Sequence, residues 1–359
     1  IIIKGNNNLR LNDDLVTLMI EGIIKSNITL NTLSLTHHRI NDVGFIQICR
    51  LILPSGDIGG LQNLDVEGNN IGHIGCSALS ECLVSPECNL VTVCLSWNPI
   101  KPKGGMAIAE ALEHNTTLQT LSLANCDLSL TSLIAITTSL YSNNTLLNLT
   151  LDRPLLTSPG DDMTHTLSSL VNCPSLSLHS LSLKYCKLSD MGVTLFSREL
   201  LTNKTLIALN LECNSIGVRG AESLASYLIQ INQLKSLLLS CNHIGDDGAI
   251  ALAQALRSNT SLQELSLCSN DIHPDGLIAL GNSLYKNSSL LYLFLWGNHF
   301  EDNSCQLFNQ IFERKQLEYQ RQRKWKDQNG NDDEEDYELK VDIEIYEVDG
   351  VYYAAEKSI

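Results

Sequence analysis

The sequence predicts an α/β solenoid, with a parallel β-sheet on its concave face and helices on its convex face, and three observations carry that prediction. The pattern L-x-x-L-x-L-x-x-N-x-I recurs ten times, starting at Leu30, Leu61, Leu90, Leu118, Leu146, Leu178, Leu206, Leu234, Leu262 and Leu290. The last five starts are 28 residues apart and the earlier spacings run from 28 to 32, a fixed period of the length that stacked repeats have. Each copy leads into a stretch with apolar residues at helical spacing, clearest from Ile244 to Leu256.

Each part of the repeat has a physical reason. In Leu206-Ile-Ala-Leu209-Asn-Leu211 the alternating leucines make a short strand with one face buried. The asparagine that follows turns the chain and can satisfy backbone groups in the turn; Asn69, Asn98, Asn214, Asn242, Asn270 and Asn298 hold that position, and Cys126 and Cys186 replace it. Asp246 or Asp247 stands near the start of its own helix at 244–256, and Asn259-Thr260 reverses the chain into the following strand. The N-x-[ST] sites at Asn27, Asn115, Asn143, Asn148, Asn203, Asn259 and Asn287 mostly fall on that reversal and read as turn chemistry rather than glycosylation. Helices are wider than strands, so the stack bends, and one repeat cannot cover its own leucines, so stability is shared between neighbours.

The ends and one internal copy depart from the pattern. Ile1-Ile-Ile3-Lys-Gly-Asn6 matches the end of a strand and its turn, which leads us to expect an upstream portion. In the copy at 146–177, Arg153-Pro154 stands where the asparagine turn belongs, and residues 157–162 are inserted before the helix. The solenoid is expected over residues 1–303, as about ten to eleven repeats. A capping helix at 304–326, carrying Leu307, Phe308, Ile311 and Phe312, would close its core. An acidic linker follows at 327–340. Residues 341–359 read as a strand or hairpin, with Val341-Asp-Ile-Glu-Ile345 alternating and Asp349-Gly350 as the turn.

Composition narrows the function classes. No run of about 18 apolar residues spans a bilayer, and a net charge of -16 argues against nucleic acid, which needs clustered Lys and Arg. Most of the twelve cysteines stand where neighbouring repeats have Ala, Asn or Ser; Cys76 and Cys82 align with Ala249 and Ala255 of the helix core. No C-x-x-C occurs, and Cys76, Cys82, Cys88 and Cys94 are not spaced to converge on an ion, so no metal and no cofactor are expected. Free thiols favour a reducing, cytoplasmic compartment. No nucleophile, base and orienting acid stand at recognisable spacing, and His37-His38 falls in a repeated turn, so the chain reads as a non-enzyme.

The residues between the strand leucines face outward and would meet a partner. Most are small or polar, among them Thr120, Ser122, Ser180, Ser236 and Ser266. Tyr292, Phe294 and Trp296 stand out on the last strand as aromatic anchors, with Trp97 and Tyr185 just past their strands as further candidates. Asp65, Glu67, Asp152, Glu212 and Glu264 make the inner surface acidic, Lys184 excepted, which favours a protein ligand with a basic surface. The oligomeric state stays open.

The segment Asn-x-Ile-Gly-x-x-Gly-Ala-x-x-Leu-Ala-x-Ala-Leu-x-x-Asn-x-Ser-Leu at 242–262, and more loosely at 214–234 and 70–90, resembles the ribonuclease-inhibitor-type leucine-rich repeats of NOD-like receptors, over about residues 9–300. The resemblance implies a leucine-rich-repeat horseshoe serving as the ligand-sensing or autoinhibitory arm of an innate-immune receptor. No G-x-x-x-x-G-K-[ST] occurs, so nucleotide hydrolysis is not assigned to this chain. An alternative resemblance is to Ran GTPase-activating proteins, which carry similar repeats and an acidic tail such as residues 327–349 here. Arg39 is the arginine in an early turn, but it matches no motif of that family.

Overall fold

A computed structural model describes residues 1–5, 10–54, 60–156, 168, 171, 177–329, 339–348 and 351–357. Asn6, the insertion at 157–162, most of the 327–340 segment and the Asp349-Gly350 turn lie outside the described residues. The chain forms two compact units, residues 1–186 with 202–206, and residues 187–201 with 207–359.

In the first unit, strands β1 (Ile2–Lys4), β2 (Thr32–Thr36), β3 (Asn63–Asp65), β4 (Thr92–Cys94), β5 (Thr120–Ser122), β6 (Asn148–Thr150) and β7 (Ser180–Ser182) form a parallel sheet in chain order. Its helices are α1 (Asp13–Lys25), α2 (Asp42–Cys49), α3 (His73–Leu83), α4 (Lys101–Leu112) and α5 (Leu130–Ser139). The second unit begins with α6 (Asp190–Leu200). It then alternates β8 (Ala208–Asn210), α7 (Val218–Gln230), β9 (Ser236–Leu238), α8 (Gly245–Leu256), β10 (Glu264–Ser266), α9 (Pro274–Leu284) and β11 (Tyr292–Phe294). The same residue of each repeat lies opposite its neighbour, as in Leu209, Leu237, Leu265 and Leu293, so identical leucines stack into one core. Leu237, Leu239, Ile244, Ala249, Leu252 and Leu256 are all buried, the strand leucines against the helix face. Each unit is therefore a leucine-rich-repeat solenoid, sheet on one side and helices on the other.

Three side-chain ladders tie neighbouring repeats. In the first, Asn98 Nδ2 donates to Val66 O and Leu95 O, both at 2.9 Å, and its Oδ1 accepts Ile71 N at 3.0 Å. Asn69 and Asn242 repeat the arrangement. Cys126 reaches Leu95 O at 3.2 Å through sulfur, and Cys186 reaches Leu151 O at 3.6 Å. Pro154 has no polar side chain to offer, yet the backbone ladder runs on through Arg153 N, which donates to Lys184 O at 2.8 Å. His38 holds the same place in the first full repeat: Leu11 N donates to its Nδ1 at 3.1 Å, which puts the ring proton on Nε2, facing Ile3 O at 3.1 Å.

The second ladder is the helix-to-strand reversal. Asn115, Asn143, Asn203, Asn259 and Asn287 are buried, and each donates Nδ2 to a carbonyl of the preceding repeat while Oδ1 receives the next turn's amides. Those amide nitrogens are thus committed inside the fold. In the third, a carboxylate caps the next repeat's helix: Asp42 Oδ1 accepts Gly72 N and Gly75 N, Asp190 accepts Gly217 N and Gly220 N, and Asp246 accepts His273 N and Gly276 N. This explains the second glycine of the G-x-x-G pattern, because a Cβ on Gly276 would sit 2.7 Å from both Asp246 Oδ1 and Ile272 Cγ2.

The carboxy-terminal part closes the second unit. Helix α10 (Asp302–Asn329) extends past both ends of the segment that the apolar pattern marks out, and buries Phe308 and Ile311. The alternating run at 341–345 divides at Asp342. Residues before it form β12 (Lys340–Val341), parallel to β11, and residues after it form the antiparallel hairpin of β13 (Ile343–Val348) and β14 (Val351–Glu356). Asp342 causes the division: its Oδ1 accepts Leu295 N at 2.6 Å and its Oδ2 accepts Trp296 N at 3.0 Å, which satisfies amides beyond the last repeat strand. No helix among the described residues is long and apolar enough to cross a membrane.

Candidate binding surface

One backbone position in each repeat, two residues after the second strand leucine, is left-handed. His37, Trp97, Asn125, Arg153, Tyr185, Cys213, Cys241 and Ser269 occupy it with φ between 52° and 59°, and Gly68 and Gly297 occupy it without a Cβ. Such φ values cost a non-glycine residue about 1–2 kcal/mol. The stacked ladders hold the chain there, and His37, Trp97, Arg153, Tyr185, Cys241 and Ser269 are exposed at this position.

In the first unit this geometry assembles a patch. The Arg153 guanidinium lies 6.0 Å from the Trp97 ring centroid and 5.7 Å from that of Tyr185, and Lys184 Nζ is 5.9 Å from the Tyr185 ring. Trp97 is 51% exposed and Tyr185 50%, so about half of each ring is available for contact. Trp, Tyr and Arg are the residue types that dominate interface energetics. The sequence pointed to Trp97 and Tyr185 but not to Arg153, although the shared repeat position of all three carried the signal.

The acidic residues are oriented by their neighbours. Ser34 Oγ donates to Asp65 Oδ2 at 3.0 Å, Glu67 N donates to Asp65 Oδ1 at 3.1 Å, and His37 Nε2 lies 3.8 Å from Glu67 Oε1. Ser182 Oγ and Lys184 N hold Asp152 Oδ1 at 2.6 and 2.9 Å. Burial pushes the adjacent Cys94 thiol up, and the Asp65 and Glu67 carboxylates add to the shift, so it stays protonated at neutral pH. Glu212 and Glu264 belong to the second unit, where Asn210 Nδ2 donates to Glu212 at 3.3 Å and Ser236 Oγ to Glu264 at 2.5 Å.

Tyr292, Phe294 and Trp296 have company from their own chain. Tyr292 and Phe294 are half-buried, and Lys340 Nζ of β12 stands 5.4 Å from the Tyr292 ring. Trp296, 37% exposed, lines a recess of about 390 Å³ with Phe300, Val351, Tyr352 and Tyr353, so the terminal hairpin borders the ring. None of the eleven described cysteines is in a disulfide; burial raises the thiols of Cys126 and Cys268 to about 12 and those of Cys76 and Cys186 further still, whereas the hydrogen bond with Cys49 lowers that of Cys82.

The leucine-rich-repeat family pattern matches residues 26–49, 61–80, 88–109, 114–136, 202–225, 232–253 and 258–281. Human NACHT, LRR and PYD domains-containing protein 14 is 27% identical over 242 residues, covering 55% of this chain and 22% of that protein. Mouse ribonuclease inhibitor is 25% identical over 252 residues, covering 62% of this chain and 54% of that protein. Among solved structures, the Rad7 and Elc1 complex in yeast matches with a TM-score of 0.48 and 17% identity, over 84% of this chain and 77% of that one. The chain spans only about half of the ribonuclease inhibitor and about a fifth of the NACHT, LRR and PYD protein. With the repeats, their register and the likeness to these two relatives together, the chain carries leucine-rich repeats of the ribonuclease-inhibitor type that resemble the repeat arm of NOD-like receptors.

Proposed function

We propose that the chain is a non-catalytic module that binds a protein with a basic surface, and that it serves as the ligand-sensing or autoinhibitory repeat region of a cytoplasmic NOD-like-receptor-type protein. The observation that carries the binding reading is the Trp97, Arg153 and Tyr185 patch, whose rings are half exposed on backbone positions that the ladders hold in place. The oriented carboxylates Asp65, Glu67 and Asp152 of the same unit, on a chain of net charge -16, favour a cationic partner. The names of the relatives support the receptor and inhibitor setting.

The test is affinity capture from cytosol with the native chain, Trp97→Ala/Tyr185→Ala and Asp65→Asn/Glu67→Gln. A partner anchored here loses about 2 kcal/mol or more with the aromatic pair, roughly a 30-fold drop in affinity. Equal retention of every captured protein by both variants overturns the reading.

A further inference from the structure

We propose that Asp271, His273 and His299 form a surface site for one divalent transition-metal ion of the zinc, cobalt or nickel type. Each offers a ligand atom, and these atoms lie within 4.8 Å of one another. The two imidazoles stack with centroids 4.2 Å apart and planes 13° from parallel, and His299 Nε2 is 2.8 Å from Asp271 Oδ1. Two imidazole nitrogens and one carboxylate oxygen are the donor set such ions take, whereas calcium and magnesium prefer oxygen alone.

The fold prepares the three positions. His273 N donates to Asp246 Oδ1 at 2.8 Å, and His299 N donates to Ile272 O at 2.8 Å. The amides on either side of Asp271, Asn270 N and Ile272 N, both donate to Asn298 Oδ1, at 3.0 and 3.2 Å. All three backbones are therefore pinned by the same ladders that stack the repeats, a supporting shell that a designed site would need. His273 Nδ1 faces Asp271 O at 3.1 Å; as donor to that carbonyl it leaves the Nε2 lone pair for an ion, the tautomer control common around metal-bound histidine.

All three residues are exposed, so the stacked rings can rotate until their lone pairs converge, and water completes the coordination sphere. In the ion-free site His299 Nε2 faces Asp271 Oδ1. On binding, the ring carries its proton on Nδ1, and Nε2 and the carboxylate both turn to the ion. Sequence reasoning weighed the cysteines as ligands and could not bring these residues together, because Asp271 and His299 are 28 positions apart in neighbouring repeats.

The full chain titrated with Co²⁺ alone tests the site. The expected result is one saturable Co²⁺ per chain whose visible absorption lacks the thiolate-to-cobalt charge-transfer band that cysteine ligation gives. Loss of even an outer-shell partner weakens metal sites about 10–100-fold, so His273→Ala and His299→Ala should each weaken binding at least about ten-fold. Both substitutions are on the surface and leave the ladder backbones untouched. The proposal fails if the native chain shows no saturable binding, if the thiolate band appears, or if the double variant binds Co²⁺ as the native chain does.

Discussion

At the scale of single residues, each ladder asparagine serves several buried backbone groups at once. Asn98 is buried, and truncating it strands Val66 O, Leu95 O and Ile71 N without their partner. Unmet buried groups cost about 1–3 kcal/mol each, so Asn98→Ala should lower unfolding stability by about 2–4 kcal/mol in a urea titration. Cys126→Ala, which gives up only weak sulfur bonds, should cost clearly less, and equal losses would contradict the ladder account. His38 adds a pH dependence. Burial holds its pKa below the ordinary value, and protonating Nδ1 would set it against Leu11 N–H. As pH falls through about 6.5 the unfolded chain takes up a proton that the folded chain refuses, so stability is lost below that pH. The drop in thermal midpoint between pH 7.5 and 5.5 should shrink in His38→Asn, which carries the residue other repeats use there; an undiminished drop would place the effect elsewhere.

At the scale of elements, what could be read in advance depended on whether a feature repeats. The leucine pattern recurs ten times, and the turn and reversal asparagines in most copies, so the leucines, the Asn ladder and the Asn259-type reversal were readable from spacing alone. The roles of His38 and of Asp42, Asp190 and Asp246 were harder to read. The first departs from the consensus, and the others act on the following repeat rather than their own. The carboxy-terminal run occurs once and had no second copy to calibrate it. Its alternation looked like one strand, but a buried Asp with two backbone amides to serve splits it. Asp342→Ala should therefore unmake the edge closure: hydrogen exchange at the Leu295 and Trp296 amides should speed up markedly, while amides in α8 keep their protection. Unchanged exchange at those two amides would mean that β12 closes the edge without the carboxylate.

At the scale of the molecule, charge and surface chemistry make separate contributions to recognition. The patch of Trp97, Arg153 and Tyr185 is small, and short-range contact of this kind sets how slowly a partner leaves. The net charge of -16 acts over a longer range and sets how fast a basic partner arrives. Screening tells the two apart, since the Debye length shrinks from about 10 Å at 0.1 M salt to about 3 Å at 1 M. Raising salt across that interval should slow association of the captured partner by about ten-fold or more while the dissociation rate changes little. The Trp97→Ala/Tyr185→Ala chain should show the reverse, with faster dissociation and an association rate that keeps its salt dependence. If association proves indifferent to salt, the carboxylates of the strand face do not steer the encounter and the partner is not basic, whatever the aromatic patch contributes once the two are in contact.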